Sequence, residues 1–212
     1  MKVLIVSGGP ETLVPDHFLD DGSVRFVGVD AGVIYLLDRG ITPDAGFGDF
    51  DSISEKELER IEHAGIHLHT FEKEKDKTDL ELAIDWALEQ KPRSVYLYGA
   101  TGGRLDHGIV NIQLLTKGFD NGVHMEVIDR NNRIFLKMPG SYSIWRDDHF
   151  PYVSFLPFSE HVTGITLSGF KYSLEEADMK WGSTLCISNE LVTKKGTYSF
   201  SGGIIMVVRS ND

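Results

Sequence analysis

Short apolar runs ending in glycine or aspartate mark the first half of the chain. "KVLIVSGG" ends in Ser7-Gly8-Gly9, "VRFVGVDAG" ends in Asp30-Ala31-Gly32, and "SVYLYGATGG" (94–103) and "HMEVID" (124–129) repeat the form. Apolar runs of this length without alternation predict parallel strands buried on both faces. Between them the period changes to that of a helix. "TDLELAIDWALEQ" has Leu80, Ala83, Ile84, Ala87 and Leu88 on one stripe, with Thr78 and Glu81 at capping-box spacing. "SEKELERIEHAG" predicts a second helix, with Ser54 and Glu57 at the same spacing and Gly65 as its stop. "LDHGIVNIQLLTKG" predicts a third, ending near Gly118. Strands alternating with helices to about residue 130 predict an α/β unit with an open, mostly parallel sheet and flanking helices.

The pattern then breaks at "RNNRIFLKMPG" and "RDDHFP". Beyond it, "YVSFLPF", "VTGITLSGF", "STLCISNEL", "TYSFSG" and "GIIMVVRS" are short, β-branched and aromatic, and punctuated by Gly, Ser and Pro. They predict a C-terminal antiparallel β-sandwich, with "KYSLEEADMKWG" carrying at most a helical turn. Two domains follow, 1–130 and 131–212.

Composition narrows the functions. The chain has 212 residues and a formal net charge of −11, a field that repels nucleic-acid phosphate and anionic lipid, so neither nucleic acid nor membrane is an expected partner. A polyanion would have to be handled locally, by metal ions, oriented N–H groups or a few cations. Cys186 is the single cysteine, which leaves no intrachain disulfide. The four apolar residues after Lys2 are too few for a secretory signal. No stretch approaches the roughly 20 apolar residues of a membrane span, and a cytoplasmic protein is expected.

In open parallel sheets, ligands bind beyond the carboxyl ends of the strands. "SGG" (7–9), "VDAG" (29–32), "GDFDS" (48–52) and "GATGGRLDH" (99–107) fall there, and "KDKTD" (75–79) immediately precedes a helix. In extended backbone Asp49 and Asp51 would face the same side, and magnesium takes one or two carboxylates together with substrate phosphates. On its own the pair is more simply an acidic turn. Asp79 is equally explained by the helix dipole, and Asp30 by turn formation. Gly99, Gly102 and Gly103 permit close approach of a ligand, and Arg104 pairs with phosphate. Neither G-x-x-x-x-G-K-[ST] nor G-x-G-x-x-G occurs. Together, acids converging on one face without cations would repel one another, and a divalent ion relieves that, so metal-assisted chemistry on phosphate leads. His67 and His69 fit an alternating strand, Trp86 packing, Trp145 and Trp181 the core, and Cys186 a buried strand.

"GDFDSIS", "KDKTDLELAIDWAL", "GATGGRLDHGIVNIQLL", "GFKYSL" and "SNE", in this order and spacing, resemble the bacterial thiamine pyrophosphokinases (thiamine diphosphokinases). The resemblance spans nearly the whole chain. It implies a homodimer that transfers the diphosphate of ATP to the hydroxyethyl group of thiamine, releasing AMP. Residues 1–130 would form the ATP-binding catalytic domain, and 131–212 the thiamine-binding and dimerisation domain. Asp49, Asp51 and Asp79 would hold Mg²⁺ and the triphosphate, with Asp30 in the same acidic cluster and Asp79 or Asp51 accepting the hydroxyl proton. Thr101, Gly102, Arg104, Asp106 and His107 match the ATP-contacting loop, with Gly8 and Gly9 nearby. Ser188, Asn189 and Tyr172 match the thiamine-contacting segment, which would meet the other subunit's catalytic domain. Gly108 and Val110 depart from the family's pattern. A haloacid-dehalogenase-like phosphatase also carries D-x-D, but its aspartates follow an apolar strand that "PDAGFGDFD" lacks. A non-catalytic nucleotide- or thiamine-binding module would leave the converging acids without a task.

Overall fold

The computed structural model describes residues 1–19, 22–50, 53–70 and 76–212. The chain divides into two compact units, Met1–Arg130 and Asn131–Asp212. In the first, six parallel strands pair in the order β6-β5-β1-β2-β3-β4: β1 Lys2–Val6, β2 Val24–Val29, β3 Ala45–Gly48, β4 His67–Thr70, β5 Ser94–Tyr98 and β6 His124–Ile128. The chain builds outward from β1 to β4, then crosses back to place β5 on the other side of β1. The sheet therefore has its topological switch between β1 and β5. β1 is buried on both faces, with Val3, Leu4, Ile5 and Val6 all at 0 % exposure, as its unbroken apolar run requires.

Helices α1 (Gly32–Asp38), α2 (Glu55–His63), α3 (Asp79–Glu89), α4 (Leu105–Gln113) and α5 (Lys117–Asn121) connect the strands. α2 begins with a complete capping box between Ser54 and Glu57. α3 buries the predicted stripe of Leu80, Ala83, Ile84, Ala87 and Leu88, and the Thr78 hydroxyl accepts from Glu81 N–H. The Glu81 carboxylate turns to Lys117 on α5, at 2.9 Å. α1, which lacks a predicted pattern because its seven residues cover barely two turns, packs through Val33, Ile34 and Leu36. The third predicted helix is broken in two and runs past its expected end near Gly118. α4 gives way at Leu114 to a 3₁₀ turn, and the real stop is Gly122, left-handed at φ 63°. Gly118 lies inside α5 because a Cβ there would strike the Val123 carbonyl and Met125.

The second unit is two antiparallel sheets. One has the order β12-β9-β14-β7 (Asn189–Glu190, Tyr152–Pro157, Ile205–Ser210 and Asn132–Lys137). The other has β11-β10-β13-β8 (Leu174–Lys180, His161–Ser168, Lys195–Phe200 and Gly140–Trp145). Phe155, Val207, Ile165, Leu167, Tyr198 and Phe200 meet between them in one core, as inward alternation in a sandwich demands. Burial pushes the Tyr198 hydroxyl well above its ordinary value, with the charge of Tyr142 adding to it. Several local expectations change. "NRIFLK", within the expected interruption, forms a strand, as does "GSYSIW" after it, and "LEEADMK" is a full strand, paired to β10 across a register shift. Cys186 is buried, with its thiol pushed up to about 11 by desolvation, but it sits in a turn. Trp145 and Trp181 are 62 % and 73 % exposed, outside the core, because both stand at the ends of edge strands β8 and β11. No helix among the described residues is long and apolar enough to cross a membrane.

One polar cluster fixes the helix that enters the site. Asp85 of α3 accepts from Lys117 and from Lys77, each at 2.7 Å. Burial opposes ionisation of this carboxyl, but the two lysine hydrogen bonds outweigh it and hold its pKa below the ordinary value. A depressed acid adds stability above its unfolded pKa and loses it as pH falls through the folded value. Asp85→Asn is therefore expected to lower stability by about 1 kcal/mol at neutral pH. Denaturant midpoints of the two proteins should converge as the pH is taken below the ordinary aspartate range.

Candidate active site

The loops after β1, β2, β3 and β5 and the starts of α3 and α4 surround one cavity of about 860 Å³. It lies at the carboxyl end of the sheet, over the β1/β5 switch, where an open α/β sheet forms a crevice because neighbouring loops depart in opposite directions. The floor is backbone. Ser7 N–H donates to the Tyr98 carbonyl at 2.8 Å and Gly9 N–H to the Gly99 carbonyl at 2.9 Å. Gly99, at φ 63°, has no Cβ to strike the Ser7 carbonyl, and a Cβ on Gly9 would strike the Gly99 carbonyl. These glycines are required by the approach of two chain segments. Gly103 differs, since a Cβ there would reach little but Pro10, and it is the glycine of this loop that leaves room for a ligand.

Among the described residues, four acids line the cavity: Asp30, Asp49, Asp76 and Asp79. Asp30 is left-handed at φ 51°, its N–H donating to Phe47 and its carbonyl accepting from Val33, so it forms the turn from β2 into α1. Its carboxylate occupies the space in which a Cβ of Gly48 would stand. Asp49 follows β3 directly. Phe50 is 7 % exposed, packs with Val33, Ile34 and Ile61, and is left-handed at φ 56°. The extended backbone that would put Asp49 and Asp51 on one side is therefore interrupted at Phe50, and Asp51 itself lies outside the described residues. Asp79 opens α3, where the helix dipole favours a negative group. Among the described residues, no three potential ligands form a ready-made metal cluster. Carboxylate oxygens distributed around a roomy cavity fit an ion that shares its shell with substrate phosphates better than an all-protein cage.

Among the described residues, Lys77 and Arg104 are the cations that line the cavity. Arg104 contacts both Asp106 oxygens, at 3.2 and 2.6 Å. Its hydrogen bond holds the Asp106 carboxyl down, and Asp106 in turn raises the guanidinium pKa. Lys77 is held by Asp85. Gly8, Gly9, Thr101 and His107 line the cavity too, whereas Gly102 and Asp106 are not among its lining residues. Gly102, at φ 82°, makes room for Leu13, and Asp106 is engaged by Arg104 and the His107 N–H. Ser7, Asp76, Lys77 and Thr78, inside the predicted segments "SGG" and "KDKTD", line the cavity as well, and Asn111 joins them without having been singled out. Asn111 carried a readable signal: it falls one helical turn after His107 and Gly108 on the same face of α4. It is 8 % exposed and donates to the Ala100 carbonyl at 2.8 Å.

In the second unit, Tyr172, Ser188 and Asn189 come together. Asn189 is 1 % exposed; its amide oxygen accepts from Tyr172 and Glu190 N–H, and its NH₂ donates to the Tyr172 carbonyl at 2.7 Å. Ser188 is left-handed at φ 54°, with its N–H on the Ser154 hydroxyl. Tyr172 is 58 % exposed and presents its ring to solvent. Asn189 thus acts as a clamp behind Tyr172, while Ser154 holds Ser188.

β3 also corrects the ground on which the phosphatase alternative was set aside. Ala45–Gly48 is a fully buried strand, invisible as an apolar run because it carries two glycines, of which Gly46 lets Val33 and Leu68 pack closely and Gly48 makes room for the Asp30 carboxylate. The aspartates therefore do follow a strand, and the distinction must come from elsewhere. A family model described as the catalytic domain of thiamin pyrophosphokinase matches residues 17–127, and one described as its vitamin B1 binding domain matches 141–205. The chain is 50 % identical to the thiamine pyrophosphokinase of Bacillus subtilis, over the full length of both. The crystal structure of the B. subtilis thiamine pyrophosphokinase superimposes with a TM-score of 0.96 at 48 % identity, covering all of both chains. That of the thiamin pyrophosphokinase of Geobacillus thermodenitrificans gives 0.92 at 46 %, covering all of this chain and 98 % of the other. With both family models matched in order and full-length identity of this size, the chain belongs to the thiamine pyrophosphokinase family.

Proposed function

We infer that this protein is a thiamine diphosphokinase, transferring the diphosphate of ATP to the hydroxyl of thiamine and releasing AMP. Membership of the family carries the reaction. The observation that supports its location is the convergence of Asp30, Asp49, Asp76 and Asp79 with Lys77 and Arg104 around one cavity at the sheet switch.

In this reading the nucleotide occupies the cavity. The backbone around Gly8, Gly9, Thr101 and Gly103 follows the polyphosphate, with Arg104 and His107 at the α4 side. Gly102 and Asp106 act indirectly, by shaping the loop and holding Arg104. Asp49, Asp51 and Asp79 would hold Mg²⁺, which when bound neutralises triphosphate charge and favours in-line attack. Asp30 keeps the acidic wall in place. The hydroxyl oxygen of thiamine forms the new bond to the β-phosphorus as the bond to the α-phosphate oxygen breaks, and Asp79 or Asp51 takes the hydroxyl proton. Acids left over by the metal also favour the positive thiazolium. Tyr172, braced by Asn189, and Ser188 form the thiamine face, and a homodimer would bring that face to the catalytic unit of the other subunit. A cytoplasmic location fits the ATP requirement.

Purified protein supplied with ATP, Mg²⁺ and thiamine should yield AMP and thiamine diphosphate; ADP with thiamine monophosphate would refute diphosphate transfer. Asp79→Asn should lower kcat by about 100-fold or more, the loss of a metal-ligand contribution of several kcal/mol, with an unchanged circular-dichroism spectrum. Asn189→Ala should raise the thiamine KM about tenfold and leave the ATP KM within twofold. The opposite split would remove Asn189 from the thiamine face.

A further inference from the structure

The nucleotide reading gives no role to a buried acid that meets the cavity wall. Asp129 follows β6 directly and is 3 % exposed. It lies between the two matched family regions, 17–127 and 141–205. Thr101, in the loop between β5 and α4, donates its hydroxyl proton to Asp129 Oδ2 at 2.6 Å. That loop is the cavity wall: Gly99, Ala100, Thr101, Gly103 and Arg104 all line it. The next residue, Arg130, ties the facing loop. Its N–H donates to the Leu13 carbonyl at 2.8 Å, and its Nε donates to the Thr12 carbonyl at 2.9 Å. Leu13 in turn fills the space beside Gly102. The end of β6 therefore grips both walls of the switch crevice from behind.

We propose that Asp129 is a positioning residue for the nucleotide site, acting through the Thr101 hydroxyl to fix the β5–α4 loop in its ligand-ready form. The physical basis is entropic. A glycine-rich loop with φ of 63° at Gly99 and 82° at Gly102 has many alternative conformations, and ordering it on binding costs affinity. A short bond to a buried carboxylate pre-orders it, since a charge-assisted hydrogen bond is about twice as strong as a neutral one. The proposal rests on the cavity being the nucleotide site.

The test measures ATP-analogue binding, using a non-hydrolysable ATP with Mg²⁺, beside ATP and thiamine KM values and thermal midpoints. Thr101→Val, which keeps the side-chain shape, should raise the analogue Kd and the ATP KM roughly tenfold, the size of one lost charge-assisted bond, with the thiamine KM within twofold. Asp129→Leu should do the same. The double variant should be no worse than Asp129→Leu alone, because that change already removes the hydrogen bond that Thr101→Val removes. Asp129→Asn keeps an acceptor and should fall within about threefold of wild type. Additive effects would mean that Thr101 meets the ligand independently of Asp129 and would overturn the proposal. So would a lowered thermal midpoint with unchanged analogue Kd. If Asp129→Leu does not fold, Thr101→Val decides: an unchanged Kd refutes positioning. Wild-type protein that binds the analogue but forms no AMP would defeat the diphosphotransferase reading and leave the positioning test intact.

Discussion

Gly9 N–H to the Gly99 carbonyl, together with Ser7 N–H to the Tyr98 carbonyl, keeps β1 and β5 joined for one step beyond the sheet. The candidate site depends on that junction. It lies where the strand order reverses, so the loop after β1 and the loop after β5 must separate immediately afterwards, and the space that opens is the cavity. The junction tolerates no side chain at Gly9 or Gly99. A substitution there would force apart the two walls that hold the glycines, Thr101 and Arg104. Burial of β1 on both faces holds the junction from below, since neither strand can shift without exposing apolar surface.

Charge around the cavity follows from the same geometry. Strand ends that converge bring their following residues together, and here those residues include Asp30 and Asp49, joined by Asp76 and Asp79 from the approach to α3. Carboxylates in one cavity repel one another, and the nearby cations are themselves held by acids: Lys77 by Asp85 and Arg104 by Asp106. A divalent cation and a cationic substrate ring suit such a site. The field of the whole molecule, at −11, has the same sign.

Much of the architecture was legible because burial writes itself into residue order. The apolar runs of β1, β2, β5 and β6, the stripe of α3, and the β-branched and aromatic runs of β9, β10, β13 and β14 each reflect which faces exclude water. Features that depend on contacts distant in sequence were not legible. β3 is a strand because it pairs with β2 and β4, with Val33 and Leu68 packed into the space Gly46 leaves. Glu81 looks like half of a capping box, yet its carboxylate goes to Lys117. Gly118 looks like a stop, but it is a contact point for Val123 and Met125.

The sequence by itself determined the alternation of strands and helices in the first half, the β-rich character of the second, and which acids and glycines sit at strand ends, since these follow from local periodicity and residue chemistry. The motifs in their order also identified the family. Only the tertiary structure decided which of those residues share a cavity. It separated Gly103, open to a ligand, from Gly99 and Gly102, which are required by Ser7 and Leu13. It turned Asn189 into a brace for Tyr172 and put Asp129 behind Thr101. The reason is that strand order and register decide which chain segments become neighbours, and Thr101 and Asp129, 28 positions apart, meet because β5 and β6 are paired in parallel.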